Sequence, residues 1–512
     1  MESVTISDCL RTHAQRRPNH PAYVYLHDSI TWKELDRRVE ALAAGLWARG
    51  IRHQDVVAVC VTDGPVQIEV VFALARLGAI RVGLNYRYSP ADVEKLLLHS
   101  GAKLLIIEDA FASLAGNLCL ELGILSAGDA QDGLGEYGTL VDAMPPKASR
   151  PEPQRSNIAQ ICYTTGSTGS PKGAVWSHRA VMASMGFTLL DVGMREDDIY
   201  LHCLPAAGVP SVNATWNVMV GCTSIIMPRF QAEQALELIE RYRCTTALFI
   251  PTMLTAICET AEKQPRNVSS MRKILYGSAP TPPALVRRSY KVFGSVEFEQ
   301  LYGSTEGAGG YYTKLTPADH DRALAGKESL LTSCGKPMVH ARVRIVDENG
   351  EVCETGKVGE IAVSGPFVMD EYLREEELTS HVLRDGWLLT GDMGSIDEEG
   401  YVYLTDRKQF LIITGGYNVY PIEIENVVAA HPSVLEVCAF GVPDDKWGEA
   451  VHIAVVPRNG CSIDATEIRT WCRDKLAKFK IPKSVEIRDV LIRGATGKIL
   501  KRAERERFLQ GD

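Results

Sequence analysis

The sequence predicts an α/β protein with a large N-terminal domain of α/β-layered sheets and a small α+β domain at its C-terminus. Its 512 residues are enough for more than one domain. Over roughly the first two-thirds of the chain, short apolar runs alternate with amphipathic helical patterns, which is typical of parallel sheets covered on both faces. Beyond Asp406–Phe410 the pattern changes to short strands and helices after a Gly-Gly turn, so we place the domain boundary there.

The N-terminal elements follow from the spacing of apolar residues. The predicted strands are Asp55–Val61, Ala102–Glu108, Ile158–Thr164, Cys222–Met227 and Thr245–Ile250. The predicted helices are Pro65–Ile80 and Glu233–Tyr242. The proline-rich stretch Pro145–Pro153 is interpreted as a linker.

The C-terminal elements carry clearer end signals. Tyr420–Val434 is predicted as a helix with a proline in its first turn, and Leu435–Val442 and Ala450–Val456 as short strands. Asp464–Leu476 is predicted as a helix with Asp464 at the N-cap and Glu467 three residues later, which is the capping-box pattern.

Composition limits the function classes. The formal net charge of −9 argues against nucleic acid as a partner, because phosphate-backbone binding needs a basic excess. The 13 cysteines contain no C-x-x-C pair, which disfavours zinc and redox dithiols and fits a reducing, cytoplasmic setting. The first 20 residues lack an apolar core, so no secretory signal is expected, and no uncharged run has transmembrane length, so integral membrane association is not expected either. The oligomeric state stays open, a homodimer included.

The stretch Tyr163–Gly173, "YTTGSTGSPKG", combines glycines, hydroxyl residues and Lys172 directly after a predicted strand. It is not a strict P-loop, because Pro171 replaces the second glycine and Gly173 replaces the magnesium-binding Ser/Thr. Its glycines still allow backbone N–H groups to converge on an anion, and its position is where α/β sheets bind ligands. With a helix expected next, we predict a phosphate-binding loop rather than a flexible surface loop.

The same stretch resembles the signature loop of the adenylate-forming superfamily, which includes acyl-CoA synthetases, firefly luciferase and nonribosomal peptide adenylation domains. Further matching motifs follow in family order and cover essentially the whole chain: Tyr302–Gly307, Gly386–Asp392, Asp406–Glu425 and Gly494–Arg502. The chain is most similar to the acyl-CoA synthetases. The resemblance implies the adenylate-forming fold, with an AMP-binding domain at 1–406, a hinge at 407–410 and a mobile C-terminal domain at 411–512.

The resemblance also implies ATP-dependent activation of a carboxylic acid, with Mg²⁺ as cofactor. Lys498 would bridge the substrate carboxylate and the α-phosphate, and Thr305 and Glu306 would complete the catalytic set, with Glu306 as the metal ligand. Lys172 would contact the departing pyrophosphate. The predicted ATP/AMP site comprises Thr164, Thr165, Gly166, Ser167, Thr168, Gly169, Lys172, Gly277, Ser278, Ala279, Gln300, Tyr302, Gly303, Ser304, Thr305, Asp392 and Arg407. Lys501 and Arg502 are expected to be solvated.

The polar residues of this predicted site could also have ordinary structural roles. Glu306 could be an exposed turn carboxylate, Asp392 a turn or helix cap, and Arg407 a surface residue of the hinge. The family match favours magnesium binding for Glu306 and ribose contacts for Asp392 and Arg407.

Three segments that line the acyl pocket in relatives are almost free of charge. Leu201–Met227 and Tyr276–Ala284 contain no Asp, Glu, Lys or Arg, and Gln300–Tyr312 contains only Glu306. Because an unpaired buried charge is costly, amino acids and dicarboxylates are disfavoured, and the small side chains favour a bulky aryl or medium-to-long fatty acid. The predicted pocket residues are His202, Ala206, Ala207, Gly208, Gly303, Gly307 and Ala308.

Two positions depart from the family pattern. Gly208 stands where relatives often carry histidine, which either deepens the pocket or alters the path of the thiol. Gln409 stands at the expected pivot of the hinge, where aspartate or lysine is usual.

Coenzyme A is the expected acyl acceptor, and the Gly415-Gly416 turn is expected to approach its pantetheine arm. A carrier-protein phosphopantetheine is the alternative acceptor. A non-catalytic acyl-binding homologue is disfavoured because Lys498, Glu306 and Lys172 are all present.

Overall fold

The structure is a computed structural model. It describes residues 5–116, 119–128, 135–143, 153–154, 157–164, 172–205, 207–458, 460–473, 475–494 and 499–510. The chain divides into two compact units, Met1–Val343 with Val363–Leu388, and Arg344–Ala362 with Leu389–Asp512. The second unit therefore contains 344–362 and 389–406 besides the predicted C-terminal domain. A hinge is defined by movement rather than by compactness, so the boundary at 406 and the hinge at 407–410 stay predictions.

The strands of the described residues are β1 (Pro21–Tyr25), β2 (Asp28–Thr31), β3 (Val56–Cys60), β4 (Ile80–Gly83), β5 (Leu104–Ile107), β6 (Ile124–Ser126), β7 (Ile158–Thr164), β8 (Lys172–Ser177), β9 (Ile199–His202), β10 (Thr223–Ile226), β11 (Thr246–Phe249), β12 (Lys273–Gly277), β13 (Glu297–Tyr302), β14 (Thr313–Leu315), β15 (Lys336–Pro337), β16 (Arg342–Val346), β17 (Gly359–Ser364), β18 (Glu371–Tyr372), β19 (Leu383–Arg384), β20 (Trp387–Ile396), β21 (Val402–Arg407), β22 (Ile412–Thr414), β23 (Tyr417–Val419), β24 (Val434–Asp444), β25 (Gly448–Pro457) and β26 (Ser484–Ile487).

The helices are α1 (Ile6–Arg16), α2 (Trp32–Ala48), α3 (Pro65–Leu77), α4 (Pro90–Ser100), α5 (Gly135–Asp142), α6 (His178–Val192), α7 (Pro210–Ala214), α8 (Asn217–Val220), α9 (Ala232–Tyr242), α10 (Pro251–Lys263), α11 (Pro283–Phe293), α12 (Pro317–Leu324), α13 (Glu376–Val382), α14 (Pro421–Ala429), α15 (Ala465–Arg473) and α16 (Lys501–Gln510). Short 3₁₀ helices lie at Asp109–Ala115, Thr305–Gly307, Glu328–Thr332, Lys408–Phe410 and Lys478–Lys480.

Two large sheets form the first unit. One has nine strands in the order β15-β14-β13-β12-β11-β9-β10-β1-β2, and the other has seven in the order β18-β8-β7-β4-β3-β5-β6. The central pairs of both sheets are parallel, including β12 with β13 and β4 with β7. The predicted parallel α/β architecture is therefore confirmed, and the loops after β7, β12 and β13 all begin at the carboxyl ends of strands.

The predicted N-terminal strands are confirmed, but one predicted helix was too long. The expected helix Pro65–Ile80 ends at Leu77, and Ile80 already begins β4. Gly78 causes the break, because it adopts a left-handed conformation with φ +63° and closes the helix. The apolar run beyond it belongs to a buried strand.

The second unit contains a five-stranded sheet in which β23-β22-β25-β24 are in order and β26 pairs with β25. The helices α14 and α15 cover an apolar core formed by Ile412, Val419, Ile424, Val428, Ile453 and Ile468. Asp464 caps α15 as predicted, since its Oδ1 accepts hydrogen bonds from the backbone N–H groups of Thr466 and Glu467. The helix predicted at Tyr420–Val434 stops at Ala429 because Pro432 follows, and residues before a proline avoid the helical conformation.

A further five-stranded sheet has the order β16-β17-β20-β19, with β21 paired to β20. No helix in the described part of the chain combines the length and the apolar character needed to cross a membrane.

Candidate active site

Several predicted site residues lie outside the described residues. They are Thr165, Gly166, Ser167, Thr168, Gly169, Ala206 and Lys498. The flanks of the signature loop are described: β7 ends at Thr164 and β8 begins at Lys172, and these two residues are partners in an antiparallel pair. The expected helix directly after the loop was wrong, because Lys172–Ser177 forms a strand and α6 begins only at His178. The Val-Trp pair of this segment favours an extended conformation, and the Ser177 side chain caps α6.

Glu306 is held by hydroxyl groups at the end of β13. It lies in the 3₁₀ turn Thr305–Gly307, where its Oε1 accepts a 2.6 Å hydrogen bond from the hydroxyl of Tyr372 and its Oε2 accepts one of 2.7 Å from Ser304 Oγ. The Ser304 hydroxyl also contacts the hydroxyl of Tyr312 at 2.7 Å. Both carboxylate oxygens keep further lone pairs, so this carboxylate fits a magnesium ion that takes few protein ligands.

Lys172 approaches the same group from β8. Its Nζ lies 5.8 Å from the centre of the Tyr372 ring, and the hydroxyl of that ring donates to Glu306. The structure thus brings the predicted pyrophosphate lysine and the predicted metal ligand to the same tyrosine, one near its ring and the other at its hydroxyl. Among the described residues no group of three or more His, Cys, Asp or Glu side chains could hold a metal.

Tyr372 was missed by the sequence analysis. It reaches the site because β18 pairs antiparallel with β8, with Tyr372 opposite Ala174. The neighbouring Asp370 fixes this strand by accepting a 2.8 Å hydrogen bond from the backbone N–H of Ser177. No local motif surrounds Tyr372, and the pairing joins residues about 200 positions apart in the chain, so no signal in the sequence could have found it.

The other predicted nucleotide residues of the first unit cluster at one sheet edge. Gly277 ends β12, and Ser278 and Ala279 follow it, with Ser278 in a left-handed conformation at φ +67°. β12 and β13 run parallel with Tyr276 opposite Gln300, so both loops leave the sheet side by side. Tyr302 ends β13, and Gly303 and Ser304 follow it directly.

The predicted acyl-pocket residues differ in exposure. His202, at the end of β9, is fully buried, and burial lowers the pKa of His202 to about 4, so it is neutral at neutral pH. Ala207 is half-buried, Gly303 is also half-buried, and Gly307 and Ala308 are buried. These positions stay candidate pocket residues.

Gly208 borders space that the described residues leave open. Among those residues, a Cβ atom built on Gly208 would contact only Cys162 Sγ, at 3.8 Å, which is an ordinary van der Waals distance. The absent side chain therefore leaves room beside Cys162 of β7. Of the two interpretations of this departure, the local geometry favours a deeper pocket.

Asp392 and Arg407 face one another in the second unit. They are partners in the antiparallel pair of β20 and β21, and Arg407 Nε lies 2.5 Å from Asp392 Oδ1. The aspartate side chain is buried, whereas that of Arg407 is about half exposed. This ion pair holds the carboxylate in one orientation, as the predicted ribose contact requires.

The Gly415-Gly416 turn joins β22 and β23, with left-handed φ values of +56° and +81° that glycine adopts readily. The backbone N–H of Gly415 donates a 2.7 Å hydrogen bond to the carbonyl of Trp447, whose side chain is 40% exposed. Lys446 and Lys483 place their ammonium groups 4.8 and 5.8 Å from the centre of the Trp447 ring. The turn thus lies beside an exposed cationic and aromatic surface.

Lys501 contradicts its predicted solvation. Its Nζ lies 2.9 Å from Glu425 Oε1 and 3.4 Å from Asp406 Oδ2. Burial alone would lower the pKa of Lys501, but these two carboxylates raise it above its usual value. Arg502 is more than half exposed, as expected. Gln409 is exposed within the 3₁₀ helix Lys408–Phe410.

Comparison with known families decides the assignment. Residues 10–373 match the AMP-binding enzyme model, and residues 423–498 match the model of the AMP-binding enzyme C-terminal domain. The chain belongs to the AMP-binding enzyme family. The resemblance inferred from the motifs is confirmed, and so is the function class of an AMP-forming acid–thiol ligase close to the acyl-CoA synthetases.

Relatives of this AMP-binding enzyme span its whole length. Feruloyl-CoA synthase of an Amycolatopsis species is 35% identical over 97% of this chain and 97% of the relative. The fatty acid–[acyl-carrier-protein] ligase ScoC of Streptomyces coeruleorubidus is 34% identical over 97% and 95%. The solved o-succinylbenzoate CoA synthetase of Bacillus subtilis, in complex with its acyl-adenylate intermediate, superposes with a TM-score of 0.87 at 29% identity and covers 97% of both chains. The predicted fold is confirmed.

Proposed function

We propose that this AMP-binding enzyme joins an apolar aryl or medium-to-long-chain fatty acid to coenzyme A in two half-reactions. In the first, a carboxylate oxygen of the acid attacks the α-phosphorus of ATP, and pyrophosphate leaves. In the second, the sulfur of the thiol attacks the acyl carbonyl, the thiol proton is lost, and AMP leaves. The observation that carries the proposal is the Glu306–Tyr372–Lys172 arrangement at the carboxyl end of β13, within a chain of this family.

The charges of this site suit the first half-reaction. Both reactants are anionic, and their repulsion must be offset by positive charge placed where the new bond forms. Lys172 and Lys498 would supply that charge. A magnesium ion bound by Glu306 would neutralise phosphate charge, and the hydroxyl groups of Ser304 and Tyr372 orient that carboxylate.

The acid is argued from the pocket segments. Leu201–Met227 and Tyr276–Ala284 carry no charged side chain that could pair with an α-ammonium group. His202 is neutral and buried, so it adds no anionic partner. The space beside Gly208 suits a bulky acyl group. Relatives named for feruloyl and fatty acyl substrates fit an aryl or fatty acid.

Coenzyme A is favoured over a carrier protein by the surface at Trp447. Adenine stacks on aromatic faces, and the phosphates of coenzyme A need cations, which Lys446 and Lys483 supply next to the Gly415-Gly416 turn. A carrier protein presents only the pantetheine arm and one phosphate to such a surface. Because the relative ScoC is named as an acyl-carrier-protein ligase, the test also offers a carrier protein as the second acceptor.

The test is a pyrophosphate-release screen over carboxylic acids with ATP and Mg²⁺, followed by mass spectrometry of the products with coenzyme A and with a holo-carrier protein. We expect benzoate-like or fatty acids to exceed malonate and α-amino acids in kcat/KM, and an acyl-CoA product. A preference for an α-amino acid would contradict the pocket assignment. Acylation of the carrier protein alone would contradict the acceptor.

A further inference from the structure

A buried polar cluster lies on the seven-stranded sheet, apart from the residues assigned above. Arg81 of β4 and Gln160 of β7 are opposite one another in the parallel pair, and Arg81 Nη1 donates a 3.0 Å hydrogen bond to Gln160 Oε1. Arg81 is 2% exposed and Gln160 is 6% exposed. A guanidinium group in such a position is uncommon, because burying a charge costs free energy that specific partners must offset.

The cluster reaches the segment that carries the predicted acyl-pocket residues. Ser211, at the start of α7, donates a 3.1 Å hydrogen bond to the same Oε1 of Gln160. A Cβ atom built on Gly83 would lie 1.7 Å from the carbonyl oxygen of Ala207 and 2.7 Å from Arg81 Nη2. Only glycine at position 83 allows this approach, so the guanidinium group lies beside the backbone of Ala207.

Cys162 connects the cluster to the space at Gly208 and to Glu306. Its sulfur lies 3.8 Å from a Cβ atom built on Gly208. Burial raises the pKa of Cys162 to about 12, with the charge of Arg81 acting to lower it and that of Glu306 to raise it further. Cys162 thus lies beside the space at Gly208, and the charges of both Arg81 and Glu306 act on its thiol.

Gln160 retains an unused donor. A guanidinium group has only donors, so the amide oxygen of Gln160 must face Arg81, and the amide nitrogen points elsewhere. That Nε2 has no hydrogen-bond partner among the residues that the structure describes, although the side chain is more than nine-tenths buried. Leaving a buried donor unpaired is unfavourable, and a ligand atom that accepts its hydrogen bond would remove the penalty.

Arg81 keeps its charge at neutral pH. Burial lowers the pKa of Arg81 to about 10, and the nearby Cys162 and Asp63 oppose that effect. Asp63 is the carboxylate whose charge acts on this guanidinium group. The cluster therefore presents a cation and an amide donor, which together suit an oxygen atom that accepts hydrogen bonds.

We propose that Arg81 and Gln160 form a specificity subsite for an acceptor oxygen, carbonyl or carboxylate, on the part of the acid remote from its reacting carboxylate. The inference rests on the proposed function and narrows its substrate class to apolar acids that carry such an oxygen. It also revises the charge-free pocket of the sequence analysis, because Arg81 comes from a strand outside the three segments considered there.

The test compares acids with and without such an oxygen, with kcat/KM measured by pyrophosphate release from the full-length enzyme. The aryl series is 3-phenylpropanoate with its 4-acetyl and 4-carboxy derivatives, and the fatty pair is nonanoate with 8-oxononanoate. In the wild-type enzyme we expect at least one oxygen-bearing acid to exceed its parent at least tenfold, since a site whose Gln160 amide donor is buried and unpaired discriminates against ligands that lack the acceptor. A preference for the ketones would show that the subsite binds a neutral carbonyl oxygen, and a preference for the 4-carboxy acid would show that it binds a carboxylate.

Variants attribute the preference to the cluster. In Gln160→Leu and Arg81→Met we expect the ratio of oxygen-bearing to parent acid to fall at least tenfold, and in Ser211→Ala to fall by less. Thr246→Val, which removes a buried hydroxyl from the nine-stranded sheet, is the matched control and should keep the wild-type ratio. Thermal unfolding shows whether each variant is folded, and Ser211→Ala keeps the test valid if Arg81→Met does not fold.

Three outcomes would overturn the proposal. If the wild-type enzyme activates the parent acids as well as the oxygen-bearing acids, or better, Arg81 and Gln160 do not form a specificity subsite. An unchanged ratio in Gln160→Leu and Ser211→Ala places the preference elsewhere. If no acid of either series, and none of the wider screen, releases pyrophosphate, the proposed function fails together with the subsite. Activation of the parent acids without discrimination leaves the proposed function standing and rejects the subsite alone.

Discussion

At the scale of single residues, the structure shows a turn carboxylate whose orientation suits the metal-binding role that we propose for it. Glu306 accepts hydrogen bonds from Tyr372 and Ser304 on different oxygens, so its orientation is fixed while lone pairs remain free. Such a carboxylate is pre-oriented and costs little reorganisation when the ion and phosphates arrive.

The first prediction follows from this geometry. Glu306→Gln removes the negative charge but keeps the size of the side chain, and we expect pyrophosphate release to fall by about 10²–10³-fold. Tyr372→Phe removes one hydrogen bond to the carboxylate and should cost about tenfold or less. The role of Glu306 as magnesium ligand is checked by measuring the rate of pyrophosphate release at increasing Mg²⁺ concentrations. Part of the loss in Glu306→Gln should come from weaker binding of Mg²⁺. A variant with wild-type rate and magnesium response would return Glu306 to the role of an ordinary turn residue.

Residue by residue, the sequence identifies only part of this site. Glu306, Lys172, Asp392 and Arg407 stand in recognisable motifs, and the pairing of Asp392 with Arg407 agrees with their shared predicted role. Tyr372 carries no motif, because its role depends on the strand pairing that brings it to β8. Arg81 and Gln160 were missed for the same reason, since each is an ordinary strand residue until the register places them side by side.

At the scale of elements, a buried ionic network joins four elements of the first unit. Glu69 of α3 is fully buried and accepts hydrogen bonds from Arg38 Nε of α2 at 2.7 Å, from the hydroxyl of Tyr137 of α5 at 2.7 Å and from that of Tyr23 of β1 at 3.1 Å. Each oxygen of the carboxylate accepts a hydrogen bond, so no buried acceptor is left unpaired. The network therefore specifies how these elements pack.

The second prediction concerns this network. Glu69→Ala leaves Arg38 without its buried partner, and we expect a loss of about 3–5 kcal/mol in the free energy of unfolding. Tyr137→Phe removes one hydrogen bond and should cost about 1–3 kcal/mol. Urea denaturation measures both. Equal and small losses in the two variants would show that the network contributes no more than a surface ion pair.

Three predictions from local sequence patterns differ from the observed elements. The apolar run after Pro65 reads as one helix, yet Gly78 divides it into a helix and the strand that carries Arg81. A helix was expected after the signature loop, but the Val-Trp segment pairs with β7 instead. Lys501 was expected in solvent, and only the fold shows that Glu425 and Asp406 converge on it. The helix end at Gly78 is a local signal that the apolar pattern hides, whereas in the other two cases a contact with another part of the fold overrides a local preference.

At the scale of the whole molecule, buried neutral histidines couple stability to pH. Burial lowers the pKa of His178, of His202 and of His452 to about 4 each, whereas an unfolded chain titrates histidine near 6.5. Between these values the unfolded state binds more protons than the folded state, so stability is full above pH 6.5 and falls as the pH falls toward 4.

The third prediction isolates one histidine. Glu299 and Glu425, whose pKa values burial raises, act in the opposite direction, so the difference between variant and wild type is the useful quantity. Between pH 7.5 and pH 5, His202 should account for about 2 kcal/mol of lost stability, and His202→Asn should show a correspondingly flatter fall. Denaturant unfolding at the two pH values measures it. Parallel pH profiles for the two proteins would show that folding does not lower the pKa of His202.

The last prediction concerns movement of the chain at Gln409. If the C-terminal domain turns between the half-reactions, a few residues must absorb the change in backbone angles. Gln409 lies in the short 3₁₀ helix that follows β21, just after Arg407, and its side chain is exposed, so a substitution there disturbs little packing. Proline fixes φ near −65° and removes a backbone N–H, whereas alanine keeps the freedom of φ.

We therefore expect Gln409→Pro to retain pyrophosphate release, the first step of the cycle, and to slow thioester formation by more than tenfold, while Gln409→Ala resembles the wild type in both. The two half-reactions are measured separately, the first by pyrophosphate release and the second by transfer from a pre-formed acyl-adenylate to coenzyme A. Loss of both activities in Gln409→Pro, with a lowered unfolding temperature, would indicate damage to the fold rather than blocked rotation of the C-terminal domain. If the proline variant slows neither step, the pivot lies elsewhere, and the predicted boundary between the domains is misplaced.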